Sequence, residues 1–403
     1  NISNGETSVL SDPWYQGDSF HKGWNLLCEL EDSQIESLLH RISHIWVSHE
    51  HPDHFSIGFF KKFKNIIIQN KIIVLFQDTD DKRVESFLKA SKFQLIILQR
   101  NQWISLGKDF EVLNFKDGFY DSGLAIRTCN KTFLNLNDCE ITTQARCKEI
   151  QNIIGNCDVL LSQFSYAAWK GGESNLAWRR DAAKKKLETL KIQVDSFSPQ
   201  YLVPFASYIY FSNEKNFYLN DSSNTPKDVS NYFAASGEIT IKIMRPFEKF
   251  FPLLEPTSSD ESTLFWEQKF QLVNLQNLNK YISTDLECLN ESFQKYRDRV
   301  FANNSKSFIW LVKTFSPVKF FGPLIIHLED LNKTLRLNLF EEKLVVTNSP
   351  AHITMSSESL NFIFLNTFGF DTLTVNGCFE ESSKNGFSRM TRLLAIENLN
   401  NLG

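Results

Sequence analysis

The sequence predicts an α/β protein followed by a smaller α+β unit, and three observations carry that expectation. To about residue 165, short β-rich runs alternate with amphipathic helical stretches, the text of layered α/β structure. Across residues 251–263 the composition turns to Pro, Ser, Thr and acidic residues, as at a surface connection between domains. Beyond residue 307 strands return, with Leu335, Leu337 and Leu339 alternating against Arg336 and Asn338. The expected division is 1–250 for the main domain, 251–306 for a helical connection and 307–403 for an accessory α+β domain.

Taken in order, strands are expected at 8–10, 44–47, 72–76, 95–98, 124–127, 133–136, 159–161 and 201–204, each bounded by polar or turn residues. Helices are expected between them at 32–40, 57–63 and 82–90. A longer helix is expected at 178–194, where Ala, Lys, Arg, Glu and Leu dominate and Pro and Gly are absent. Residues 265–301 read as helical. The last stretch, including FGFDTLTVNGCFE at 368–380, has no chemical cluster of its own and reads as a substrate-binding or homodimerisation module.

The 403 residues suffice for two domains with a large core. With 43 basic and 47 acidic side chains the net charge is −4, too small to favour nucleic acid or a membrane surface. A small-molecule substrate is the expected partner. Seven cysteines, at 28, 129, 139, 147, 157, 288 and 378, lack CxxC spacing and read as free thiols in a reducing compartment. No apolar run is long enough to span a bilayer, and residues 1–7 lack the basic and apolar regions of a signal peptide, so the cytoplasm is the expected location.

The chemistry concentrates at His49, Glu50, His51, Pro52, Asp53 and His54, directly after the β-run 44–47. A strand ending in a tight loop turns several imidazoles and a carboxylate into one small volume, and Pro52 fixes the backbone in its middle. The alternative, a solvated loop that happens to hold three histidines, fits poorly with a chain that has only eight.

The intact HxHxDH pattern is the signature of the metallo-β-lactamase superfamily. Flanking segments narrow the likeness: LSDPWYQGDSFHKGW at 10–24, ISHIWVSHEHPDHFS at 42–56, FLNLNDC at 133–139 and PFASY at 204–208. Over residues 8–220 the chain resembles the non-Rieske part of the CMP-N-acetylneuraminate hydroxylases and their free-standing bacterial relatives. The resemblance implies a metallo-β-lactamase αββα sandwich with two divalent metal ions at one edge of its sheets. It implies His49 and His51 on the first metal, Asp53 and His54 on the second, and Asp138 completing or bridging the second. Asp138 also reads as a side-chain cap of its turn. The last residues further resemble a sterol-carrier-type α+β domain.

The chain departs from the superfamily by lacking two further histidines. Asp121 is the substitute ligand expected where the first should fall, with a simple turn residue as the alternative. Where the second should fall stand Asn213 and Glu214, weighed as substrate contacts together with Tyr208 and Arg180. Replacing imidazole by carboxylate hardens the site, which favours iron or manganese, while the Irving–Williams order keeps zinc competitive.

The expectation of least assumption is a dinuclear metallo-hydrolase using a hydroxide generated on the metal. Asp53 and Asp138 would orient the water, and the substrate would be a polar anionic metabolite such as a nucleotide-activated sugar or a thioester. Two alternatives remain: a non-haem di-iron oxygenase, for which this sequence offers no CxH…CxxH cluster ligands, and a non-catalytic binding protein with a degenerate site. Two further features have double readings. The WKGGE segment at 169–173 is an anion-binding turn or a plain loop. The basic run Arg179, Arg180, Lys184, Lys185 and Lys186 contacts substrate or is a solvated helix face.

Overall fold

The computed structural model describes residues 1–234, 239–254, 258–316 and 320–395. Among them, one sheet has the strand order Ile2–Ser3, Ser8–Ser11, His44–Val47, Ile73–Gln77, Gln94–Leu98, parallel after its first member. A second sheet runs Thr240–Ile241, Tyr201–Pro204, Val159–Ser162, Lys131–Asn135, Ser122–Thr128, Phe110–Lys116, Trp103–Gly107. Its first four strands are parallel and the rest form antiparallel hairpins.

Side-chain alternation builds the layers. Val9, Trp46, Leu75 and Leu98 of the first sheet face Phe110, Val112, Leu124 and Ile126 of the second. On the first sheet's outer face Leu10, Ile45, Val47, Val74 and Phe76 pack on Ile35, Leu39, Phe60, Ile67 and Leu88 from helices Asp32–Leu39, Ile57–Lys62, Lys64–Gln69 and Arg83–Ala90. On the second sheet's outer face Leu134, Leu160 and Leu202 meet Ile150, Ile154, Leu190 and Phe197 from helices Gln144–Ile154 and Leu176–Phe197. Strands covered on both faces need near-continuous apolar runs, which is what 44–47 and 73–77 supply. The result is the αββα sandwich of the metallo-β-lactamase fold.

Several expectations change in detail. The hairpin Trp103–Gly107 with Phe110–Lys116 and the helix Gln144–Ile154 were not expected, and the helix expected at 57–63, found at Ile57–Lys62, is followed past Phe63 by a second short helix, Lys64–Gln69. The helical reading of 265–301 resolves into Asp260–Leu272 and Leu286–Asn303, and a helix, Lys306–Phe315, precedes the last strands. Within the basic run, Arg179 is 1% exposed: its guanidinium clamps Asp221 at 2.9 and 2.7 Å and donates to the carbonyls of Gly172 and Glu173 at 2.7 and 2.9 Å. No described cysteine is paired in a disulfide. No helix of the described residues is long and apolar enough to cross a membrane.

The last sheet orders Val345–Val346, Lys333–Leu337, Leu324–Leu328, Ile353–Met355, Phe379–Glu381. Its core is continuous with Leu289, Phe293 and Tyr296 of helix Leu286–Asn303, and also with Trp14, Phe20, Trp24, Tyr166 and Trp169 of the sandwich. Helix Asp260–Leu272 instead faces the sandwich, stacking Trp266 on Tyr208 with ring centroids 4.0 Å apart.

Trp46 has no exposed surface and sits between the two sheets. Trp46→Ala should lower folding stability by about 4 kcal/mol, the range for emptying a large aromatic site in a packed core. Urea denaturation of the two proteins side by side measures it, and a loss under about 1 kcal/mol would contradict this packing.

Candidate metal centre

The strand His44–Val47 is buried along its whole length and delivers the chain to Ser48, which is fully buried as well. The Ser48 amide and hydroxyl donate to Asp12 Oδ1 at 2.8 and 3.0 Å. Its carbonyl accepts from Gln77 Nε2 at 2.8 Å and Ser122 Oγ at 2.7 Å. Asn137 Nδ2 donates to Asp12 Oδ2 and to Ser48 Oγ, both at 2.6 Å. Each partner stands at the end of another strand, so five strand ends are tied to one residue. Asp12 and Asn137 have φ of 42° and 50°, left-handed values that Asp and Asn tolerate better than other L residues.

This network assigns the imidazole tautomers. With its one proton directed to Asp12, Ser48 Oγ accepts from His49 Nδ1 at 2.9 Å, which leaves His49 Nε2 bare. His54 Nδ1 lies 3.3 Å from Asp12 Oδ2, so the opposite nitrogen of that ring points inward too. His49 Nε2 is 2.8 Å from His51 Nδ1 and 3.6 Å from Asp121 Oδ1. His54 Nε2 is 3.1 Å from Asp53 Oδ2 and 3.2 Å from Asp138 Oδ2. In two sets, His49 with His51 and Asp121, and His49 with His54 and Asp138, the candidate donor atoms all lie within 4.8 Å of one another.

The electrostatics ask for cations. Burial pushes the pKa of His49 and of His51 down, which keeps the imidazoles neutral and able to ligate. Burial acts the same way on His54, but the carboxylates of Asp138, Asp53 and Asp12 overcome it and hold His54 well above the usual imidazole range. Asp138 is correspondingly held low, its own burial outweighed by His54. Asp121 is pushed up to about 7 by burial and by the neighbouring Asp138 charge. Moreover, Asp53 Oδ1 is buried and has no hydrogen-bond partner among the described residues. A field that forces a proton onto His54 draws a metal ion to the same place, and the donor set therefore fits a two-metal centre.

Six of the expected site residues thus converge: His49, His51, Asp53, His54, Asp121 and Asp138. The other four make their contacts elsewhere. Asn213 donates to the Lys22 carbonyl at 3.4 Å within a buried turn. Glu214 lies 3.5 Å from Lys280, and Tyr208 donates to the Pro204 carbonyl at 3.3 Å. Arg180 is exposed on its helix. The run at 211–214 is held by backbone turns against residues 22–25 and 279, which explains why no side chain there joins the cluster.

Residues not singled out as site residues form the rim. The Phe20 and Tyr120 rings lie 6.0 and 6.3 Å from His51, and the Phe368 ring lies 6.5 Å from Tyr120. Arg83 sits 4.3 Å over the Phe368 ring and pairs with Glu50 at 3.1 Å, turning Glu50 away from the centre. Asp371 is close enough for its charge to act on His51. Phe368 and Asp371 come from the last unit of the chain, and only tertiary contact brings them here.

No protein-family model matches the chain. It is similar to the cytidine monophosphate-N-acetylneuraminic acid hydroxylase of Pongo pygmaeus, 25% identical over 260 residues, covering 60% of this chain and 43% of that protein. It is also similar to the hydroxylase of that name from Mus musculus, 22% identical over 344 residues, covering 78% and 58%. The chain thus spans about half the length, or less, of these relatives. Among solved structures it is similar to CmlA, a diiron β-hydroxylase from Streptomyces venezuelae, at 13% identity and TM-score 0.41 over 58% of this chain and 49% of that one. It is also similar to the metallo-β-lactamase fold protein YhfI from Bacillus subtilis, at 18% identity and TM-score 0.34 over 50% and 75%.

His51→Ala should remove most metal from the purified protein by elemental analysis, and unchanged content would refute the assignment. Asp12→Ala leaves the six converging side chains in place but frees the Nδ1 side of His54. Metal affinity should drop about 10- to 100-fold in chelator competition. Asn213→Ala should leave metal content as it was.

Proposed function

We propose that this chain, a metallo-β-lactamase-fold protein, is a dinuclear non-haem iron enzyme that hydroxylates a polar, anionic metabolite. The composition of the two candidate ligand sets carries the reading: they share His49 and together offer three imidazoles and two carboxylates, a mixed nitrogen and oxygen set that suits iron. Asp53 adds another hard oxygen beside His54. Hydrolysis, the expectation of least assumption from the sequence, stands here as the second reading. The curated relatives are named for hydroxylating a cytidine monophosphate-linked sugar acid, which supports a nucleotide-activated sugar as the substrate class.

His49, His51 and Asp121 would hold one ion, and His54, Asp53 and Asp138 the other. When bound, iron supplies Lewis acidity and the redox capacity to reduce dioxygen. In the net reaction one oxygen atom enters a C–H bond and the other leaves as water, with two electrons and two protons from an external reductant. The protein's own contribution is positional. Ser48 and Asp12 fix the imidazole tautomers, and Gln163 orients Asp138 by donating to its Oδ1. Phe20, Tyr120 and Phe368 give the rim an apolar, water-excluding wall.

One observation favours hydrolysis as the second reading. The buried, unpartnered Asp53 Oδ1 is an acceptor suited to taking a proton from an attacking water.

The separating experiment purifies the protein without chelators, measures its metals and assays nucleotide-activated sugars and thioesters with and without dioxygen and a reductant. Hydroxylation predicts bound iron and oxygen uptake matching product. Turnover under strict anaerobiosis without reductant establishes hydrolysis instead. A protein that retains no metal sinks both.

A further inference from the structure

Behind Asp138 lies a cleft of about 280 Å³, lined by Gln163, Lys170, Trp178, Lys186 and Thr189 among others. It adjoins the metal centre through one shared side chain: Gln163 donates to Asp138 Oδ1 and accepts from Lys186 Nζ at 3.2 Å. Lys186 comes from helix Leu176–Phe197, and Lys170 from the WKGGE loop that precedes it. The buried Arg179 clamp on Gly172 and Glu173 holds that loop against the helix, so the two ammonium groups are brought to one cleft by a rigid support.

Charges here are unevenly matched. Lys185 is paired with Asp181 at 2.7 Å, and among the described residues Lys186 pairs with the exposed Glu140 carboxylate at 3.8 Å, both carboxylates also lining the cleft. Lys170 is half-buried and has no hydrogen-bond or ion-pair partner among the described residues. Its pKa is lowered by burial and by the Lys186 charge, against a smaller opposing pull from the Glu140 carboxylate, as expected for like charges sharing a partly dry space. At the edge of the cleft Trp178 is 46% exposed, its ring held edge-on to Trp169 with centroids 5.4 Å apart. An exposed but immobilised tryptophan is a stacking surface.

We infer that this cleft is a phosphate subsite, in which Lys170 and Lys186 bind the phosphate of a substrate whose reacting end reaches the metal centre past Gln163, with Trp178 covering a flat ring of the same ligand. Two ammonium groups more than balance the one charge of a phosphodiester and equal the two of a diphosphate bridge, the forms phosphate takes in a nucleotide-activated sugar, and a ligand there screens Lys170 from Lys186. The inference deepens the proposed function and rests on it for the identity of the reacting end; the phosphate site itself does not require the metals to be iron.

The test is isothermal titration of the full-length protein with inorganic phosphate, adenosine 5′-monophosphate and succinate, with metal content measured on every sample. Phosphate and the nucleotide should bind, and Lys170→Met and Lys186→Met should each weaken both at least tenfold at unchanged metal content. Trp178→Ala should weaken the nucleotide and leave inorganic phosphate unaffected. In His51→Ala, phosphate affinity should persist, which separates failure of this inference from failure of the metal assignment. Wild-type phosphate affinity in both lysine variants, loss of it in His51→Ala, or equal affinity for succinate would each overturn the subsite.

Discussion

The arrangement of Ser48, Asp12 and Asn137 is the constraint on which the site depends. Five strand ends from both sheets meet there, and each contributes a donor or acceptor that the others satisfy. In a water-poor interior such a network is stable only when complete, because removing one member strands its partners. Completeness gives it directional power. The Ser48 proton can point to one acceptor only, so His49 must donate from Nδ1 and present Nε2. The sandwich accordingly does more than support the loop: its strand register sets which imidazole nitrogens are available for chemistry.

A second constraint is charge. Asp53, Asp121, Asp138 and Asp12 surround three imidazoles in a partly buried volume, and one protonated His54 does not neutralise them. Carboxylates this close cannot all remain ionised without positive charge between them, and Asp121 is pushed up by its burial first and by the neighbouring Asp138 charge second. The two divalent ions of the proposed function would supply that charge. Gln163 carries the same logic outward, since one amide links the Asp138 carboxylate to the Lys186 ammonium.

Legibility in the sequence followed chain distance. His49, His51, Asp53 and His54 were readable because one loop holds them all. Asp138 and Asp121 were readable through their positions after strands, once the family pattern said where to look. The rim was not. Phe20, Tyr120 and Phe368 are ordinary aromatics in a chain with 36 phenylalanines, and nothing local marks the two beside His51 or the one that packs on Tyr120. The strands Trp103–Gly107 and Phe110–Lys116 escaped for another reason: Ser105, Glu111 and Asn114 interrupt their apolar residues at irregular spacing, so neither reads as a continuous apolar run or as strict alternation. Arg179 was hidden within a basic run whose other members are exposed or half-buried. Its burial follows from Asp221, a residue 42 positions away.

The last unit of the chain is built into the site wall. Asn376 Nδ2 donates to the Phe20 carbonyl at 3.0 Å, and Asn216 Nδ2 donates to the carbonyls of Asn376 and Gly23 at 2.7 and 2.9 Å. A Cβ at residue 23 would collide with Asn376, so the close approach of the two segments requires glycine there. Through these contacts the helix Gly369–Asn376 fixes the loop that carries Phe20 and presents Phe368 and Asp371 beside Tyr120 and His51. The apolar rim and its one added carboxylate are therefore set from the distal end of the chain, while the ligand atoms are set by the sandwich. The aromatic rim and the cluster of imidazoles and carboxylates thus rest on different parts of the fold, joined at Gly23.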